Sequence, residues 1–412
     1  MDSMTPPEEA VLIVALDRAL LVAERARSTN WGLFFQMLVL RDDPDHAPLE
    51  LRELLTVISA TPALECFDHA DQCALGNQER VGFRFLVQWL ISRAQQVGAE
   101  RAISDLSRYL ASDTLDVTVV LAVDGIDIEG KIELGDHELI PWRELADSDT
   151  KWQIAALGAQ SGSAPSAALI QRHEIKRMHI RPWDQQEVVP PLSIEPTLDV
   201  LRCVMTIAGA GVRRLHYWVE PPEWAPWAVS RSGFGVDSSV LVHDVKLEQL
   251  ALPKLVQCAS RFLAMSDSNR QRLRVPLDRL NRSYLVAMRS VDSAIELGVA
   301  IESLYAPSKL SEGIAFAVRT RAARFLGGSV EQRHTTASTL RDVYDLRSLA
   351  VHAGRFDTES ASKKWRDDTR VRLALKQGRE IVAQSLMKMI EESEPVWEDF
   401  DIGASNPDGK QL

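Results

Sequence analysis

Arg347 and His352, with four residues between them in the stretch LRSLAVH, are the pair whose types suit chemistry on a phosphodiester. Histidine is the side chain best placed to move protons near neutral pH, and arginine carries a permanent charge on a planar fork that matches phosphate oxygens. Helical periodicity adds a third residue. Arg347 falls among Leu340, Val343, Ala350 and Val351, and Glu302 follows Ile295 by seven positions, so both charges land on apolar stripes. An isolated buried charge is costly, so Glu302 and Arg347 are expected to pair across the helices that carry them. The alternative puts both at a boundary, with long stems reaching water. On a regular helix, five residues turn Arg347 and His352 ~140° apart. They share a site only if the arginine curls round the helix or a second chain closes the cleft. Spacing alone favours a plainer role for His352 as a cap or partner of the helix dipole.

Four helices must position these residues. The first, from Pro276, reads LDRLNRSYLVAMRSVDSAIELGVAIESLY, with Leu277, Leu280, Tyr284, Met288, Val291 and Ile295 on one stripe. The second is GIAFAVRTRAARFL, stopped by Gly327-Gly328. A third runs from an N-cap at about Thr335 through TLRDVYDLRSLAVH to Gly354, a natural C-terminal cap, and a fourth covers KWRDDTRVRLALKQGREIVAQSLMKMIEE. Short connections between them predict an antiparallel bundle. Residues 276–386 hold 18 Lys and Arg against 13 Asp and Glu, a net of +5, which leaves −16 for the rest of the chain. That asymmetry is compatible with an anionic partner at the bundle, and also with a solvated helical surface rich in arginine.

Three segments in this order, AIELGVAIESLY, VRTRAARFL and LRDVYDLRSLAVHAG, resemble the HEPN superfamily and within it the ApeA-like HEPN domains. The likeness covers roughly residues 277–390. Ser348 stands where many members have Asn or Asp, and Ala353 separates His352 from Gly354. The resemblance implies a metal-independent endoribonuclease, needing no cofactor, that dimerises so that two R-x4-6-H motifs line a cleft. Carried over, His352 acts as general acid/base and Arg347 holds the scissile phosphate. RNA brings its own nucleophile, the 2′-OH, so the implied products are a 2′,3′-cyclic phosphate and a 5′-OH. Supporting roles fall to Ser348 as a phosphate donor, Tyr344 as a base-stacking ring and Glu302 as the partner of Arg347. Arg319 and Arg321 are candidates for RNA backbone contacts. The resemblance further implies an abortive-infection role in bacterial antiphage defence, with RNA, tRNA among it, as substrate. Two other readings stay open: a noncatalytic HEPN module for RNA binding or assembly, and a sensor whose activity lies in the middle of the chain.

The 412 residues exceed one ordinary core, and 45% hydrophobic with 25% charged residues is average globular usage. The expected fold is α+β and multi-domain. A helical N-terminal region (1–112) precedes an α+β middle domain (113–270) of regulatory or sensing role, an all-α HEPN-type bundle (271–395) and an acidic, polar tail (396–412). Period-two alternation in LDVTVVLAVDGIDIEGKIEL predicts a hairpin at Asp124-Gly125, and VRRLHYWVEPP and SSVLVHDVKL read as strands. SGSAPS at 161–166 and EVVPPLSIEP at 187–196 read as connectors, and PTLDVLRCVMTIAG as a short helix between strands.

A net charge of −11 argues against indiscriminate coating of nucleic acid. Cys66, Cys73, Cys203 and Cys258 form no disulfide framework, and the acidic N-terminus lacks an export signal, so a cytoplasmic protein is expected, with no membrane span. Cys66, His69 and Cys73 lack a fourth metal ligand and share a face if helical. His173-Glu174 with His179 is not H-E-x-x-H, so no metal is expected. Gly209-Ala210-Gly211 follows a helix, the reverse of a dinucleotide loop. His216, Tyr217, Trp218, Trp224 and Trp227 read as a packed sheet edge rather than a ligand surface.

Overall fold

A computed structural model of the chain describes residues 4–27, 47–68, 71–74, 77–80, 82–161, 164–177, 179–180, 204–226, 231–233, 245–246, 252–286, 290–306, 313–356, 363–393 and 395–402. Most of these are helical, with a minority in strands. They form two compact units. One comprises Met1–Val120, Gln171–Glu195 and Tyr217–Ser232, and the other Leu121–Ile170, Pro196–His216 and Gly233–Leu412. Residues 113–270 are shared between the two, whereas the sequence pattern predicted a middle domain of its own.

The first unit is built on helices α1 (Pro6–Arg27), α2 (Leu49–Ala60), α3 (Phe83–Val97) and α4 (Ala99–Ala111). Three and four spacing sets the buried faces: Leu12, Leu16, Ala19 and Ala23 on α1, and Leu51, Leu54 and Ile58 on α2. Helix does not fill the whole of 7–112. Strands β1 (Asp71–Ala74) and β2 (Asn77–Arg80) pair antiparallel with Asp71 opposite Arg80. Cys73 therefore lies on a strand and Cys66 on the 3-10 turn Pro62–Phe67, so the shared helical face expected of them does not form; His69 lies outside the described residues.

The main sheet contains β3 (Thr114–Asp124), β5 (Ile132–Leu134), β6 (His137–Pro141), β7 (Ala167–Lys176), β9 (Arg213–Glu220) and β10 (Arg231–Gly233). Their order is β10-β9-β3-β7-β6-β5. β3 alternates at its start and is buried at every position from Val119 to Asp124, as a strand covered on both faces must be. The hairpin expected at Asp124-Gly125 is displaced. Gly125 turns the chain at φ 91°, and the next strand, β4 (Ile126–Asp127), pairs in parallel with β11 (Val245–Lys246). A tight hairpin forms instead at β5–β6, with Leu134 opposite His137 across Gly135-Asp136, and Gly135 supplies the positive φ of 66°. VRRLHYWVEPP is strand β9 as expected, yet it is flanked by β3 and β10 and is no edge. Its Tyr217 and Trp218 are buried. Gly209 ends a 3-10 turn in the left-handed region, with residues 196–203 of the expected short helix outside the described residues. The same holds for the connector 187–196, for Trp227 and for most of SSVLVHDVKL.

Helix α5 (Asp149–Ser161) lies between β6 and β7, and the C-terminal bundle is formed by α6 (Leu252–Ala264), α7 (Asp267–Leu285), α8 (Val291–Tyr305), α9 (Ile314–Leu326), α10 (Val330–Ala353), α11 (Asp368–Glu392) and α12 (Trp397–Ile402). The long first helix of the sequence pattern is two helices. Pro276 lies inside α7, whose cap is Ser266, and a new cap at Ser290 accepts the Ser293 N–H at 3.1 Å to start α8. At this break the Ser283 carbonyl, left open in the last turn of α7, accepts the Ser293 hydroxyl and the Arg379 guanidinium of α11. The buried face is thereby re-phased: α8 buries Ala294, Leu297, Gly298, Ile301 and Tyr305, while Val291 and Ile295 are half-buried. Likewise α10 starts at Val330 rather than near Thr335, through a capping box in which Ser329 and Gln332 exchange bonds. Its end is as expected, with Gly354 left-handed at φ 64°. The bundle is close-packed at Gly378 of α11, where a Cβ would lie 2.7 Å from both Leu297 and Val343 side chains.

The tail expected from 396 is not wholly free. Trp397 and Phe400 of α12 stack edge-on with Tyr305 and Phe325, with ring centroids 5.3–6.4 Å apart. Among the described residues no helix is long and apolar enough to cross a membrane.

Candidate functional site

Helices α8 and α10 pack against each other, and a glycine makes their contact close enough for one arginine to lie across it. A Cβ at Gly298 would overlap Cδ of Arg347 and sit 2.9 Å from its Cγ and 3.1 Å from its Nε. The arginine crosses this notch and donates from Nη2 to Glu302 Oε2 at 3.1 Å, one turn further along α8. The expected pair therefore forms. It is half-buried, with the Arg347 and Glu302 side chains 32% and 27% exposed. The re-phasing of α8 explains this, because its buried stripe passes through Ile301 and Tyr305 and leaves Glu302 at the margin.

The other Glu302 oxygen accepts the Tyr344 hydroxyl at 3.2 Å, so one carboxylate holds two residues a turn apart on α10. Burial, with the Glu302 carboxylate beside it, pushes the Tyr344 phenol well above its usual range and keeps it protonated as a donor. Its hydroxyl is thus committed to Glu302. Arg347 itself is not saturated: its Nε is shut off from solvent without a hydrogen-bond partner.

His352 occupies the last turn of α10, exposed, and forms no hydrogen bond or ion pair among the described residues. It does not meet Arg347 within one chain. Arg347 faces α8 and His352 faces water, as ~100° per residue requires. Ser348 and Val351, beside them, are also exposed. Asp342 and Asp345, on α10, hold Lys364 at 2.6 and 3.8 Å.

Two arginines of α9 were expected to contact RNA, and they differ. Arg319 is half-buried and donates to the Ala315 carbonyl at 3.0 Å. Arg321 must be corrected. It is 4% exposed, donates to both Asp401 oxygens at 3.1 Å and to the Tyr305 carbonyl at 3.0 Å, and lies over the Trp397 ring. Such an arginine holds the C-terminal helix and has no capacity left for a phosphate. Asp401, Gly298 and Arg379 were missed by sequence reasoning. A glycine inside a strongly apolar helix, LGVAIESL, is the one signal that pointed to a close approach.

Among the described residues no group of three or more His, Cys, Asp or Glu side chains could hold a metal ion. No protein-family model, curated protein or solved structure matches the chain.

Proposed function

We propose that the C-terminal bundle is a HEPN-type, metal-independent endoribonuclease, an RNA-cleaving effector of antiphage defence acting in the cytoplasm as a homodimer. The observation that carries the reading is the state of the R-x4-H pair. Arg347 is held in place by Glu302 and Gly298 yet keeps a third of its side chain in water, and His352 stands exposed and unbonded on the same helix. In the proposed reaction the 2′-oxygen gives up its proton and bonds to phosphorus as the P–O5′ bond breaks, and the departing 5′-oxygen takes a proton. His352 moves these protons and Arg347 offsets the charge that grows on the phosphoryl oxygens. Because the two residues diverge on one helix, a cleft lined by both needs a second chain. In this reading Ser348, exposed one residue after Arg347, donates to the same phosphate, and Arg319 contacts the backbone. The trigger is assigned to the residues before the bundle.

The test is to incubate the full chain with total bacterial RNA in EDTA beside Arg347→Ala and His352→Ala. Cleavage in EDTA that both variants lose, yielding 2′,3′-cyclic phosphate ends, supports the nuclease. Identical products from wild type and variants sink it, and so does a monomer in sedimentation under conditions of cleavage.

One observation favours the noncatalytic alternative: Glu302 already neutralises Arg347 within a single chain, as a structural ion pair would. On that reading both variants retain RNA binding in a filter assay and wild type cleaves nothing.

A further inference from the structure

Helices α1 and α2 line an open groove of about 790 Å3, within the range of small-molecule sites. Its wall is apolar and left facing water: Val11, Val14 and Leu49 are 55%, 53% and 58% exposed. Scattered exposed apolar residues are ordinary, but these three line one concavity. The polar groups at its wall are unequally satisfied. Arg18 is paired with Glu53 at 3.4 Å, whereas the half-buried Arg52 at the same wall has no carboxylate partner among the described residues. A half-buried arginine without a counter-charge is less stable than a paired one, and apolar wall held in water is costly too.

One ligand chemistry removes both costs. A neutral apolar molecule would cover the wall and leave Arg52 unpaired. A small inorganic anion would pair Arg52 and leave the wall wet, and a cation is repelled. We propose that the groove binds an amphiphilic carboxylate, its apolar chain along Val11, Val14 and Leu49 and its carboxylate accepting from Arg52. The lining runs from Ala10 to Arg18 on α1 and from Leu49 to Val57 on α2, about 12 Å at 1.5 Å per residue, which suits an acyl chain of medium length. This site is independent of the nuclease reading.

The probe is sodium decanoate, titrated calorimetrically into the full chain below its micellar concentration, with n-decanol and inorganic phosphate as controls. Saturable binding of decanoate is expected, with both controls at least roughly tenfold weaker. Arg52→Met should lower decanoate affinity by about the same factor and leave n-decanol unchanged. Val14→Asp should abolish decanoate binding. Val14 is exposed, so the variant should fold, and circular dichroism with Val11→Ser as a milder change checks it. The proposal is overturned if decanoate does not saturate, if Arg52→Met binds it like wild type, or if n-decanol binds equally well. Binding to phosphatidylglycerol vesicles without binding of free decanoate would also overturn it, in favour of a membrane surface.

Discussion

Arg321 and Arg347 sit on neighbouring helices of the bundle and are used in opposite ways. Arg321 is buried and saturated, with a carboxylate, a backbone carbonyl and an aromatic face around it. Arg347 is one-third exposed, has one bonded partner and keeps an Nε with none. Burial with every nitrogen hydrogen-bonded marks an arginine that holds structure together. Partial exposure on a fixed stem marks one that can take a ligand at its exposed face without first being pulled from its place. Preorganisation of this kind is what charge stabilisation in a reaction requires.

The largest expected effect breaks the pair apart. Arg321→Ala should cost about 2 kcal/mol, because it leaves the Tyr305 carbonyl without its donor and removes the clamp on α12, the exposed Asp401 being taken up by water. Arg347→Ala should cost about 1 kcal/mol or less, since its ion pair is water-accessible. Urea unfolding of the two variants reads the difference. In the RNA assay the order should reverse: Arg347→Ala loses cleavage, and Arg321→Ala retains it at a temperature where it is folded. Equal stability losses would show that exposure is a poor guide to the roles of these two residues.

A subtler change sharpens the contrast without touching a charge. Gly298→Ala places a methyl where Arg347 now lies, so the guanidinium must leave the notch. Arg347 is half-exposed and can move, so the stability cost should stay near about 1 kcal/mol. Cleavage should fall at least tenfold if the position of the arginine, rather than its charge alone, is what acts. Unchanged cleavage in a well-folded Gly298→Ala would mean that the notch is only packing.

The parts of this corner that follow local rules could be read from sequence, and those set by distant neighbours could not. Gly354 as the end of α10 and the pairing of Glu302 with Arg347 both follow from periodicity and the cost of a lone charge. The break between α7 and α8 was hidden, because apolar residues run through it at helical spacing. It is fixed by the Ser290 cap and by Arg379, almost a hundred residues downstream, bonding the open Ser283 carbonyl. Misplacing the break put Glu302 on the buried stripe when it lies at the margin. Arg321 was misread for the same reason: its partners, Asp401 and Trp397, lie in a segment that composition alone marks as a polar tail.

The smallest expected effect concerns what holds Glu302 itself. Tyr344→Phe removes one neutral donor from a half-buried carboxylate and should cost about 1 kcal/mol at pH 7. The sign of its pH dependence follows from the raised phenol pKa. The fold favours the protonated ring, so this contribution is complete below the unfolded tyrosine value of about 10 and declines as pH rises through it, where the unfolded chain ionises first. The gap between wild type and Tyr344→Phe in urea midpoint should therefore be constant from pH 7 to 9 and narrow above 10. A gap that instead widens with pH would mean that the phenolate, not the phenol, is the form the site prefers. Arg347 rather than Glu302 would then be the partner of Tyr344, and the carboxylate could not be what fixes both residues of α10.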